Sequence, residues 1–209
     1  MSYDSRLDTK KHINQVIEEG VRFTSKLRSQ SAHCDEKILV AIDDFINKFQ
    51  RQIAKHDASK LVSPEKEGFD KYTPMLAKME YGSSEYKKCL TELQHPYLDH
   101  HYANNSHHPE HYKNGIDGMN LFDVIEMLCD WMAAVKRNKN GDIEKSLEIN
   151  KDRFKIEPDL YVVLVNTVVD FGFTLCDVVK TWANIKCNRT KLSDQEFGNQ
   201  LLGIISNTL

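Results

Sequence analysis

Histidines and aspartates are the residues through which this chain could do chemistry. Six of the nine histidines fall between His95 and His111, and His56 stands directly before Asp57. Neutral imidazole and carboxylate together suit a divalent transition metal: manganese, iron, cobalt, nickel or zinc. The cysteines Cys34, Cys89, Cys129, Cys176 and Cys187 form no CxxC pair, which argues against a structural zinc finger and for reduced thiols. A catalytic metal site is therefore expected, with one ion or two. His56 and Asp57 are adjacent and cannot share a face of a regular helix, so both reach an ion only at a helix end. Lys60 lies one turn on, where its cation can hold a phosphate oxygen while a metal polarises another. Glu126 and Asp130 are four residues apart and share a helix face. A carboxylate buried there is costly unless it is paired or metal-bound.

Helices must position these side chains, because 3.6-residue periodicity runs through the chain and strand alternation is hard to find. Ile13, Val16, Ile17, Val21 and Leu27 predict a first helix over about 7–28. The stripe Ile38, Ile42, Phe45, Phe49, Ile53 predicts a second, and one more step of three arrives at His56. Pro74 and Gly82 predict a broken connection between 72 and 84. A helix is expected over 84–94, and short helix mixed with loop from His100 to Gly118. The clearest helix, about 120–137, should turn Leu121, Val124, Ile125, Leu128 and Met132 inward. A polar helix or loop follows to Glu157, and Pro158 introduces an apolar helix over 159–186. Ser193-Asp194-Gln195-Glu196 fits a capping box before a last helix. The expected fold is all-α: a bundle over 1–170 with a C-terminal helical appendage, 171–209, packed on it.

A length of 209 residues supports one sizeable core, and 28% charged with 40% hydrophobic residues is a globular composition. The net charge of -3 supplies no broad basic surface, so general nucleic-acid binding is not expected. Without an apolar leader or spanning stretch, the expectation is a cytoplasmic protein that engages no membrane. Val162, Leu164, Val165, Val168, Val169, Phe171, Phe173 and Leu175 offer more apolar surface than one helix face needs. They suit a homodimer or burial within the monomer. No glycine-rich phosphate loop, GxSxG elbow or thiol with a matched base competes with the metal reading.

The order His12, His56-Asp57, histidine run, Asp130 resembles the H…HD…D signature of the HD-domain superfamily, all-helical metal-dependent phosphohydrolases. His56-Asp57-Ala58-Ser59-Lys60 with Pro64 is similar to the HDxGKxxxP stretch of the HD-GYP cyclic-dinucleotide phosphodiesterases, with Ser59 in place of glycine. The segment from His107 to Gly115 resembles the HHE…G segment of the same group, though the GYP tripeptide is absent. KHINQV at 11–16, HDASK at 56–60, HxxxNxHH at 101–108 and EMLCDW at 126–131 are closer to an uncharacterised family of phage and bacterial HD-like proteins, over about 7–170. The resemblance implies His12, His56, Asp57 and Asp130 as ligands of a first ion, with Asp8 as an extra one. Asp57 would bridge to a second ion held by His101 and His107 or His108. Lys60 would bind the phosphate of a small phosphorylated or nucleotide substrate.

Against these stand plainer roles. His33 reads as a surface residue, and His95, His100 and His111 as bystanders. Glu126 reads as an orienting partner of a ligating histidine or a surface charge, Glu65 and Glu110 as proton carriers, and Trp131, Tyr102 and Tyr112 as core or rim aromatics. Two other functions use the same residues: a di-iron centre on an HD fold that activates oxygen, and a metal-stabilised adaptor that binds a partner.

Overall fold

The computed structural model describes residues 3–79, 83–137, 141–173 and 175. They are all-helical, with no strand among them. The chain divides into two compact units, Met1–Arg137 and Asn138–Leu209.

In the first unit, α1 (Arg6–Gln30) buries Thr9, His12, Val16, Glu19, Gly20 and Thr24. These recur every three or four residues, so His12 belongs to the helix's inward stripe. Ser5, just before the helix, donates from its backbone N and its hydroxyl to Asp70, each at 2.7 Å, which ties the start of α1 to a distant part of the chain. Helix α2 (Glu36–Ile53) starts at Asp35, whose carboxylate accepts from the Ile38 backbone N–H. Its apolar stripe is buried only toward the C-terminal end, at Phe49 and Ile53, whereas Ile38 is 47% exposed. The close approach to α1 depends on Gly20, where a Cβ would come within 2.4 Å of Ile53 Cδ1. The buried end of α2 is the end that leads into His56.

A 3-10 turn, Ala58–Leu61, leads on to α3 (Glu65–Leu76). The broken connection expected from residue 72 onward begins later, because α3 continues through Pro74 to Leu76. A proline so near the C-terminal end removes one backbone bond from a helix with only two residues left to run. Helix α4 (Ser84–Leu93), a π-turn at Gln94–Leu98 and α5 (Asp99–Asn104) follow. Tyr72, Cys89 and Leu93 form a small core with Phe69, Leu90, Tyr97 and Leu98. Two 3-10 turns, Pro109–His111 and Gly115–Gly118, carry the chain to α6 (Leu121–Arg137).

Helix α6 buries Ile125, Leu128 and Met132 as expected, but Leu121 is 62% exposed. The first turn of α6 is turned inward by Asp123 instead. Asn120 Oδ1 accepts from the N–H groups of Phe122 and Asp123, and Asp123 Oδ2 accepts in return from the N–H of Asn120. This reciprocal cap sets the rotation of the helix and leaves Leu121 on the outer side.

The described part of the second unit comprises α7 (Ile143–Phe154), capped by Asp142, and α8 (Pro158–Asp170). The apolar helix expected over 159–186 stops at Asp170. Gly172, at φ 83°, turns the chain into the left-handed region, and the N–H groups of Phe173 and Gly172 bond back to the carbonyls of Val168 and Val169. That is the glycine-ended termination of a helix. Val162, Leu164, Val165, Val168, Phe171 and Leu175 are buried, while Val169 is 38% exposed. Residues 176–186 of the expected helix and the capping box at Ser193 lie outside the described residues. Among the described residues no helix is long and apolar enough to cross a membrane, and Cys34, Cys89 and Cys129 are free thiols.

Candidate metal centre

Side chains from four places meet around Asp57: His12 from α1, His56 and Asp57 from the turn after α2, His101, His107 and His108 from α5 and the loop after it, and Asp130 from α6. The turn that delivers the doublet is tight. Lys55 and His56 donate from their backbones to Gln52 and Ile53, and Asp57 adopts a left-handed backbone at φ 52°. Aspartate is one of the few non-glycine residues that tolerate that region, and the reversal turns two adjacent side chains into one cavity. His56 is 2% exposed and Asp57 1%.

The two oxygens of Asp57 face different partners. Toward Oδ2 point His56 Nε2 at 3.6 Å and His12 Nε2 at 3.7 Å; Lys60 Nζ donates to the same oxygen at 2.6 Å. Asp130 completes this side, its Oδ1 lying 2.9 Å from His12 Nε2 and 3.9 Å from His56 Nε2. Toward Oδ1 point His101 Nε2 at 3.4 Å and His107 Nε2 at 3.6 Å, and His108 Nε2 approaches His101 Nε2 at 2.8 Å. Three groups thus have all their ligand atoms within 4.8 Å of one another: Asp57 with His101, His107 and His108; His12 with His56 and Asp57; and His56 with His107 and Asp130. Bonds of about 2.1 Å put ligands on opposite sides of an ion about 4 Å apart, so these spacings fit.

Hydrogen bonding supports the same fit. Among the described residues, the buried side-chain atoms without a hydrogen-bond partner are His12 Nδ1, Gln15 Oε1, His56 Nε2, Asp57 Oδ1 and His107 Nε2. Three of them, His56 Nε2, Asp57 Oδ1 and His107 Nε2, lie together in this cluster. Buried polar atoms are rarely left unpaired, and a bound cation is one explanation for nitrogens and a carboxylate oxygen that face each other in this way. The buried His/Asp cluster can hold a metal ion.

Behind the ring nitrogens stand carboxylates. Glu126 Oε1 is 2.8 Å from His56 Nδ1 and 3.3 Å from His107 Nδ1. Glu65, fully buried, takes His101 Nδ1 at 2.9 Å on one oxygen and His100 Nδ1 at 2.7 Å on the other, and also accepts from Ser59 Oγ. Such partners fix which ring nitrogen carries the proton and hold the ring in place.

Burial opposes the charge on Asp57, yet Lys60 and the rings of His56, His101 and His107 hold its carboxyl well below the ordinary range. Asp130 is also held below it against burial, chiefly by the hydrogen bond from His12 and by His56. Glu126 is held at about 2 against burial, by the hydrogen bonds from His107 and His56. Burial disfavours charge on His56, but Asp57, Glu126 and Asp130 outweigh it and raise its pKa. His101 is lowered by burial and by Lys60, and His108 well below the ordinary value by burial and its histidine neighbours. Lys60 stays charged despite burial because Asp57 is beside it. The carboxyls of Asp57, Asp130 and Glu126 thus remain ionised despite their burial.

The structure thus brings together His12, His56, Asp57, Lys60, His101, His107, His108 and Asp130. It leaves Asp8 out: that residue is exposed and accepts from the Tyr3 hydroxyl. His95 pairs with Asp99 on the surface, His111 bonds the Tyr102 carbonyl, and His33 and Glu110 are exposed. Trp131 is buried and Tyr102 partly so, while Tyr112 donates to Asp123. Glu65, read in the sequence as a proton carrier, lies behind the ring of His101, and His100 shares it. Asp123 and Gln52, whose amide donates to both Asp123 and Glu126, carry no signal in the sequence. Glu65 precedes His101 by 36 residues and Gln52 precedes Glu126 by 74, separations at which a single sequence carries no pairing signal.

Residues 1–169 match the model of a family described as a family of unknown function, DUF5662, and the chain belongs to that family. No curated protein and no solved structure matches it.

Proposed function

We propose that this member of the DUF5662 family is a metal-dependent phosphohydrolase of the HD-domain type, acting on a nucleotide or related phosphoester. The observation that carries the reading is the set of unpartnered buried acceptors, His56 Nε2, Asp57 Oδ1 and His107 Nε2, that converge on residues ordered as H…HD…D. His12, His56, Asp57 and Asp130 would hold one divalent ion, and Asp57, His101, His107 and His108 a second. Ions there would supply an acidified water and positive charge for the phosphoryl oxygens.

The chain's own groups do the rest. Lys60 is 19% exposed and bonded to the bridging carboxylate, so its ammonium can shift to a phosphate oxygen without leaving the site. The Phe69 ring, 5.1 Å from Nζ, shields one side of that ammonium from water. Glu126 and Glu65 keep the ligating rings in register. Asp57 takes its charge into a buried place where it has cations to bind and little else.

Elemental analysis of the purified chain, followed by a phosphomonoester and phosphodiester panel with manganese, cobalt or nickel under anaerobic conditions, tests the reading. The expected result is stoichiometric metal and turnover that Asp57→Ala abolishes. A metal-replete chain that retains no ion sinks it. Iron with strictly oxygen-dependent turnover replaces it with an oxygenase, and a biological effect that survives Asp57→Ala replaces it with a binding role.

A further inference from the structure

Glu126 stands behind the metal centre rather than in it, on α6, and is 3% exposed. A single oxygen, Oε1, faces Nδ1 of both His56 and His107, whose rings lie 4.2 Å apart. These two rings then serve opposite sides of Asp57: His56 Nε2 points to Oδ2 and His107 Nε2 to Oδ1, each at 3.6 Å. An imidazole that donates from Nδ1 presents a lone pair at Nε2 when neutral, the form a metal needs. One carboxylate oxygen therefore sets the ligating nitrogen on both sides of the bridge.

The orientation of Glu126 is held in turn. Its Oε2 accepts from Gln52 Nε2 at 2.9 Å, and that same amide nitrogen donates to Asp123 Oδ1 at 3.0 Å. Asp123 fixes which end of the Gln52 amide faces Glu126. Glu65 differs in reach, because among the proposed ligands it backs His101 alone.

We propose that Glu126 is one positioning residue shared by both ion positions, resting on the metal reading above. Gln52 and Asp123 hold its carboxylate in place, so the same Oε1 sets the ring of each side in register before an ion arrives. Loss of Glu126 therefore weakens both positions, not one.

The test titrates zinc into the wild-type chain, Glu126→Gln and Glu65→Gln, following binding calorimetrically. The amide of Glu126→Gln has one acceptor atom, and turning it toward the histidines sets its N–H2 against the Gln52 amide. The expected result is two ions in the wild type and both affinities weakened about tenfold to a hundredfold in Glu126→Gln. In Glu65→Gln only one affinity should fall. Nitrogen-15 spectra of the metal-free wild type, at a pH where the rings are neutral, should show the proton on Nδ1 of both His56 and His107, because no ion then dictates the tautomer and Oε1 alone holds the proton there. These spectra decide the matter if Glu126→Gln does not fold. The inference is overturned by a proton on Nε2 of either ring, by a single bound ion, or by one or neither affinity falling in Glu126→Gln. Those results leave a metal hydrolase standing, whereas a wild type that takes up no zinc, manganese or cobalt removes the function reading itself.

Discussion

Asp57 and Asp123 are equally buried, each 1% exposed, and they lead opposite lives. Asp123 is saturated: Oδ1 accepts from Gln52 Nε2 and Ser106 Oγ, and Oδ2 from the Tyr112 hydroxyl and the Asn120 N–H. Asp57 has Lys60 on Oδ2 and no hydrogen-bond donor on Oδ1, which faces two imidazole nitrogens instead. A buried carboxylate surrounded by neutral donors locks a fold, because each donor and acceptor has exchanged water for a partner. On Asp57 only Oδ2 has a donor, the Lys60 ammonium, and Oδ1 is left without one. Burial alone does not separate a structural acid from a functional one; the inventory of donors does.

Substitutions should split the pair along that line. Asp57→Ala is expected to take metal uptake and phosphoester turnover to background, while adding Asp57→Ala to Lys60→Met, which leaves no ammonium stranded, shifts the melting of the metal-free chain by no more than about 3 °C, or about 1 kcal/mol. A large loss of stability there would make Asp57 a structural acid and erase the contrast. Asp123→Ala should do the reverse, costing about 3 kcal/mol in denaturant unfolding by stranding several donors, with zinc stoichiometry retained in the folded fraction. Lys60→Met should lower kcat/KM about thirtyfold, through the lost phosphate contact, and leave metal content unchanged. If metal content falls as well, Lys60 belongs to the scaffold of Asp57 rather than to the substrate.

The smallest effect is at Tyr112. Tyr112→Phe should cost about 1 kcal/mol near neutral pH by removing one donor from Asp123. Burial first, and then the hydrogen bond to Asp123, push the Tyr112 hydroxyl from 10.0 up to about 12. The folded state therefore favours the protonated phenol, so its contribution is complete below pH 10 and lost as pH rises from about 10 to 12. The stability gap between wild type and Tyr112→Phe should close over that window, and a gap unchanged at high pH would show that Tyr112 is not bonded to Asp123.

The all-helical class and most helix positions were legible because periodicity reports which face is buried. The step from Ile53 to His56 pointed inward as the packed end of α2 requires, whereas the buried face of α1 carries Thr9, His12, Val16, Glu19 and Thr24, and Val21 of the expected apolar stripe is 46% exposed. Periodicity failed where an end is set by hydrogen bonding: Leu121 fits the stripe of α6, but the Asn120–Asp123 cap turns it outward. It failed again at α8, where the glycine at 172 stops a run whose apolar residues continue. In the site, the residues that bear lone pairs toward Asp57 could be picked out by chemical type and order. Of the acids behind them, Glu126 could be read as an orienting partner from its helix face, whereas Glu65 and Asp123 look like any other charge beside a helix start until the chain brings distant donors to them. The left-handed turn at Asp57 left no trace beyond an amino acid that tolerates it.

Helix α6 carries Asp123, Glu126 and Asp130 at steps of three and four, so one rod bears the cap, the ring clamp and a proposed ligand in fixed phase. Deleting a single residue between 124 and 129 would rotate one part of this set against the rest by about 100°. Length changes in this helix should therefore be tolerated far less than length changes in the exposed turn around Ala32 and His33, between α1 and α2, which touches none of the three acids. Among relatives, insertions and deletions should fall in that turn and stay out of residues 120–130.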